Sequence, residues 1–314
     1  MPAPAADSPA NPARPPRVAI SACLLGEAVR YDGAHKLEAE LVEILAPHVE
    51  WMPVCPEVEL GLGVPREKIR LVQLSGVEKL VGESSGRDHS QPMRDLSRQR
   101  AADFRQQEVS GVILKSRSPS CGIGDVKIWQ GDQFQRQADG LFAATLQHEL
   151  QWLPIASESQ LREPAARQHF LVQVFARCRL LAMLSSADRA DWRQGMQQER
   201  MLLEIHSPGC FVEIMQALDD ACRAEDIQQR CAVKLAVPAS WESHRQRLVD
   251  LCGQLDTPAA VLLAEAIASG DAETTGWVHW AQQVGQIAKQ RKSGLARQSY
   301  LRPLPIEPEL VTTR

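Results

Sequence analysis

Long apolar runs are missing from this chain. Nothing in its 314 residues approaches the roughly 20 consecutive apolar residues of a membrane span. Residues 1–16, MPAPAADSPANPARPP, also lack the apolar segment of a secretion signal. They read as a disordered leader, and the expectation is a cytoplasmic protein with no membrane partner. Basic excess is missing as well: 35 Lys and Arg stand against 39 Asp and Glu, a net charge of -4. This excludes a broad nucleic-acid-binding surface and leaves only local basic patches for such a role. Close ligand pairs are absent too. The eight cysteines show no ribbon-type pairing, and His35, His48, His89, His148, His169, His206 and His244 form no pair at ligand spacing. No internal repeat is found.

The cysteines that are there fall into two groups. Cys178, Cys210, Cys222, Cys231 and Cys252 lie in or beside stretches of helical period, where burial is expected. Cys23, Cys55 and Cys121 each follow a short apolar run instead. Val18 to Ser21 leads to Cys23, and Trp51 to Val54 leads to Cys55, with Pro56 and Glu57 behind it. Gly111 to Leu114 leads into Lys115-Ser116-Arg117-Ser118-Pro119-Ser120-Cys121-Gly122, where proline and glycine end the strand abruptly. Ligands of an open parallel sheet gather at the carboxyl ends of its strands, so three such cysteines point to one shared site. Three thiolates on a tetrahedral zinc or on an iron–sulfur cluster leave one position open. Reduced thiols on a chain without a secretion signal also leave a metal-free cysteine nucleophile as an alternative.

Around these residues strands and helices alternate. Strands are expected at 17–21, 51–54, 111–114, 126–129 and 152–156, a hairpin at 69–74 and 77–81 around Ser75-Gly76, and helices at 36–45, 92–107 and 141–150. The fold class is an α/β three-layer domain with a mostly parallel sheet over 17–158. From 159 to 314 the helical period takes over at 170–184, 192–205, 210–222, 241–255 and 259–268, giving an all-α domain. Arg302 to Pro308 reads as an extended tail. Lys115 and Arg117 could offset thiolate charge. Amides around Ser120 to Gly124 could form an anion nest. Glu57 could position or deprotonate water, and Ser118 and Ser120 could donate to a developing anion. Arg30 and Asp32 read as turn residues.

Together Ser21-Ala22-Cys23-Leu24-Leu25-Gly26, Arg30-Tyr31-Asp32-Gly33, Pro53-Val54-Cys55-Pro56-Glu57 and Lys115 to Gly122 resemble the TudS thiouracil desulfidase family. The resemblance implies a 4Fe-4S cluster held by Cys23, Cys55 and Cys121, a thiolated uracil as substrate, and Glu57 and Ser118 as catalytic residues. The layout with a helical second domain resembles the RudS fusions, in which a TudS domain acts on 4-thiouridine in transfer RNA. Glu199-Arg200-Met201 departs from that pattern, standing where a His/Lys-rich segment is expected. A phosphate-contacting role in the second domain would fall to Lys289, Arg291, Lys292, Arg297 and Arg302. Desulfidation of free thiouracil, and a non-catalytic protein holding a cluster or zinc, remain alternatives.

Overall fold

The computed structural model describes residues 14–220, 222–269 and 272–301, with 272–276, 294 and 299 as backbone only. Most of the leader and all of the tail at Arg302 to Pro308 lie outside the described residues. The chain divides into two compact units, the first covering Arg17–Arg162 and the second Glu163 onward.

The first unit runs β1 (Arg17–Ser21), α1 (Ala39–Leu45), β2 (Glu50–Val54), α2 (Pro56–Glu59), β3 (Ile69–Leu74), β4 (Val77–Gly82), α3 (Ser90–Gln106), β5 (Val109–Leu114), β6 (Val126–Gln130), β7 (Gln133–Ala138), α4 (Leu141–Glu149) and β8 (Ile155–Ser157). Strands β2, β1, β5 and β8 form a four-stranded, all-parallel sheet in that order. Every residue of β5 is buried, as a strand covered on both faces requires. Helix α3 turns Met93, Ser97, Ala101 and Phe104 inward, a stripe at helical spacing, and Phe104 packs in one core with Leu114, Phe142 and Leu146.

The sheet expected as one is two. Strands β4, β3, β6 and β7 make a second sheet, in which β3 and β6 pair in parallel while two hairpins supply antiparallel edges. The hairpin at Ser75-Gly76 forms with both residues at positive φ, the two-residue turn whose twist suits antiparallel strands. Strand β7, QFQRQA, carries no alternation and is exposed almost throughout. It exists through its pairing with β6 and so gave no sequence signal.

The second unit is helical: α5 (Pro164–Leu184), α6 (Arg189–His206), α7 (Cys210–Asp219), α8 (Ala224–Leu235), α9 (Trp241–Leu255), α10 (Pro258–Ser269) and α11 (Ala272–Gln290). Sequence periodicity missed α8 and α11. Helix α5 is buried on all sides and includes Arg179, whose guanidinium forks onto Glu199 of α6 at 2.7 and 3.0 Å, both side chains buried. That pairing gives Glu199 a structural reason to depart from the expected His/Lys-rich segment. Cys210, Cys231 and Cys252 are buried, whereas Cys178 and Cys222 are partly exposed, against the expectation for all five. Helical period alone does not say how completely the neighbours cover each position.

The start of α4 ties the two ends of the third cysteine loop together. Gly140 N–H donates to the Gly122 carbonyl, Leu141 N–H to Pro119, and Phe142 and Ala143 N–H to Ser120. These first-turn amides have no partner inside the helix, so a buried loop becomes their acceptor. A Cβ at Gly140 would stand 2.5 Å from the Ser120 carbonyl and 2.8 Å from the Cys121 nitrogen. Gly140→Ala should therefore destabilise the first unit by about 1–3 kcal/mol in urea unfolding; an unchanged midpoint would show that the loop is not held by this contact.

Candidate active site

The parallel pairing β2-β1-β5 sets three strand ends side by side, and each delivers one cysteine. Cys23 enters a single 3-10 turn closed by Gly26 at φ 92°, a left-handed position that suits glycine. Cys55 is the residue before α2, its N–H donating to Glu59 Oε1 at 3.1 Å. Glu59 is held in turn by Arg100 at 2.6 Å. Cys121 sits in the loop that α4 caps. Its N–H and that of Ser120 donate to Ser118 Oγ at 3.2 and 3.3 Å, and Gly122 N–H donates to the Ser118 carbonyl. Gly124 N–H goes to Asp139 at 2.6 Å. Four of the amides proposed for an anion nest, those of Ser120, Cys121, Gly122 and Gly124, are therefore already committed.

The three thiols feel one another. Burial, then the neighbouring Cys55, pushes the Cys23 thiol up to about 11. Cys121 is raised well above its ordinary value by burial first and then by Glu57, Cys55 and Cys23, while a hydrogen bond from Ser21 works the other way. Burial also raises Cys55. A metal-free site thus holds neutral thiols, and a bound cation is what would favour the thiolates. Cys55 and Cys121 line a cavity of about 600 Å³ with Glu57, Ser118, Arg66, Lys115 and Glu158. No histidine is among the lining residues. The cavity's two sulfur donors suit a thiolate-held metal or cluster, beside carboxylates of which Glu57 and Glu158 are taken up by Arg66 and Lys115. Among the described residues no group of three His, Cys, Asp or Glu is placed to hold one metal ion. His169, His206 and His244 do come together in the second unit, with ring centroids 5.6 and 5.9 Å apart. His169 and His206 contact the carbonyls of Ala236 and Val237, and His244 contacts the Tyr300 hydroxyl.

Glu57 is close to fully satisfied. Oε2 receives both Nε, at 3.0 Å, and Nη2 of Arg66, and Oε1 receives the hydroxyls of Ser120 at 3.0 Å and Ser118 at 3.4 Å. Arg66 carries no motif of its own in the sequence and was not singled out there, whereas Ser120 was expected beside Ser118 as a donor to a developing anion. Lys115 bonds the Glu158 carboxylate and Ser116, and Glu158 also receives Ser116 N–H at 2.6 Å and its hydroxyl at 2.5 Å. Lys115 is thus a half-buried member of an ion pair, while Arg117 is exposed at the cavity mouth with Lys36 and Lys68. Lys68 stands 5.1 Å from the Tyr31 ring centroid, and Asp32 closes a turn through Ala34 N–H.

An α/β unit with a thiol-lined cavity at the carboxyl edge of a parallel sheet is the class that fold and site define. Residues 18–158 match the family model described as 2-thiouracil desulfurase. The uncharacterized protein YbbK of Bacillus subtilis (strain 168) is 31% identical over 112 residues, 34% of this chain and 74% of that protein. A solved structure described as the 4Fe-4S-dependent thiouracil desulfidase TudS is 28% identical, matching 49% of this chain and 97% of that one at a TM-score of 0.39. The chain belongs to the 2-thiouracil desulfurase family.

Glu158 carries a pH signature. Burial opposes its charge, but Lys115 and Ser116 outweigh that and hold the carboxyl below its ordinary 4.5. A depressed folded value means that the unfolded chain takes up the proton first as pH falls. The stabilisation is complete above about pH 4.5 and is lost below it, through the folded value. Glu158→Gln should therefore be less stable than the wild type at pH 7, with the gap in urea midpoint narrowing below pH 4.5; a gap constant with pH would contradict the ion pair.

Proposed function

We propose that this protein is an iron–sulfur-dependent desulfidase that converts a thiolated uracil to uracil and hydrosulfide without net redox change, with 4-thiouridine in transfer RNA as substrate. The observation that carries the reading is a cavity in which Cys55 and Cys121 meet one firmly held carboxylate, with the Cys23 thiol close enough to interact with both. Family membership supports it, and the neighbour described as 4Fe-4S-dependent agrees with the cofactor. A single zinc about 2.3 Å from each sulfur would need the sulfurs within about 4 Å of one another. A cubane cluster attaches each cysteine to a different iron and so takes a wider spacing.

Cys23, Cys55 and Cys121 would hold the cluster. When bound, it would supply an electrophilic iron for the thiocarbonyl sulfur. Glu57 would place the attacking water through Oε1, because Oε2 is committed to Arg66. A carboxylate oxygen that already accepts two hydroxyls must release one to take a proton, and the Ser118 bond, the longer of the two, is the one to yield. Ser120, fully buried, would keep the carboxylate in place. Oxygen from water replaces sulfur on the ring carbon, and sulfur leaves as hydrosulfide. Lys36, Lys68 and Arg117, exposed at the mouth and without carboxylate partners among the described residues, suit a phosphate-bearing substrate better than a free base. In the second unit Lys289, Arg291, Lys292 and Arg297 are exposed around the end of α11, a placement that also complements the helix dipole.

After anaerobic reconstitution with iron and sulfide, Glu57→Gln should keep the visible absorption of the wild type and lose about 10²- to 10⁴-fold in turnover. Cys121→Ser should lose the absorption itself. Wild-type turnover in Glu57→Gln would remove its assigned role. Binding of transfer RNA should weaken steeply with salt, and replacing Lys289, Arg291 and Lys292 together should flatten that log–log slope by about the number of phosphates they contact. Salt-insensitive activity would instead favour free thiouracil as substrate.

A further inference from the structure

Arg66 comes from the loop between α2 and β3. Its side chain is only 4% exposed and each of its three nitrogens donates. Nε and Nη2 go to Glu57 Oε2, and Nη1 donates to the carbonyls of Val29 and Gly63, both at 2.9 Å. The Val29 carbonyl also accepts from Cys55 Sγ at 3.8 Å. One planar group thus fixes the carboxylate, the loop after α2, and the segment that carries Arg30 and Tyr31 along the cavity wall.

We propose that Arg66 is a positioning residue for the reaction: by occupying Oε2 from both of its forked nitrogens it turns Oε1 alone toward the substrate side, and through Val29 it keeps that orientation in register with the cavity wall. The proposal rests on the role given to Glu57 above. A bidentate fork is what the arrangement uses, and lysine, with the same charge at one point, cannot reproduce it. Among the described residues no other hydrogen bond reaches Oε2, since the hydroxyls of Ser118 and Ser120 bond Oε1. Without the fork the carboxylate can rotate about its terminal bond, and small misplacements of a reacting group cost of order 10²-fold.

The test uses the full chain, reconstituted, with Arg66→Ala, Arg66→Lys, Glu57→Gln and the Arg66→Ala/Glu57→Gln pair. Arg66→Ala should keep the visible absorption, lower turnover of free thiouracil about 10²-fold with little change in KM, and recover part of it in added guanidinium well below denaturing concentration. Arg66→Lys should stay impaired. In the double variant the loss should not exceed that of Glu57→Gln, and guanidinium should no longer help, because the two residues act as one unit. Independently of turnover, the Glu57 carboxylate infrared band, isolated as wild type minus Glu57→Gln, should shift in Arg66→Lys. Full turnover in Arg66→Lys, additive losses in the double variant, or an unshifted band would overturn the proposal. Thermal melting monitors folding; if Arg66→Ala does not fold, Arg66→Lys and the infrared band decide. Should the wild type turn over neither 4-thiouridine in transfer RNA nor free thiouracil, the functional reading falls, while the band still reports on the hold over Glu57.

Discussion

The site depends on how a buried, irregular loop satisfies its backbone. Strand β5 ends inside the protein, and the chain from Lys115 to Gly124 has no strand neighbour to bond with. Orphan amides at the start of α4 meet the carbonyls of Pro119, Ser120 and Gly122, and Ser118 collects two of the remaining N–H groups. Two sets of groups that would each be costly to bury alone cancel each other. Cys121 is placed as a by-product of that accounting. The small residues of the loop follow from it too: a Cβ at Gly122 would meet Val126 at 2.4 Å and Asp125 at 2.5 Å.

Charge is handled by the same economy. Two ion pairs, Arg66 with Glu57 and Lys115 with Glu158, flank the thiols, and each is knitted into further hydrogen bonds. Buried pairs of this kind add little net stability over an apolar core, because desolvation offsets attraction. Their value here is fixed geometry: Lys115 and Glu158 join the ends of β5 and β8, while Arg66 joins Glu57 to the Val29 segment. Lys115 also favours the thiolate form of Cys23, against burial and Cys55.

What could be read beforehand was whatever is local in sequence. Cys23, Cys55 and Cys121 stood out because an apolar run precedes each and turn residues follow, and parallel pairing does bring those strand ends together. Glu57 was visible for its place two residues past Cys55, and Ser118 for its place in the loop. Arg66 and Glu158 were not, since each looks like a surface charge until a partner distant in sequence closes on it. The amides from Ser120 to Gly124 misled for the opposite reason: their local pattern suits a nest, but the loop spends them on Ser118 and Asp139. Strand β7 and helices α8 and α11 owe their form to packing and pairing, which leave no strong period. The resemblance to desulfidases supplied what residue chemistry left open, the choice between zinc, a cluster and a bare thiol.

The central claim is that the three cysteines hold a cluster with one iron left for the substrate's sulfur. Mössbauer spectroscopy of the protein reconstituted with labelled iron tests it most directly. The account predicts a four-iron signal in which one iron is distinct, and in which that iron alone shifts when a thiolated uracil is added. A mononuclear iron signal, or four equivalent irons indifferent to the thiolated base, would contradict it.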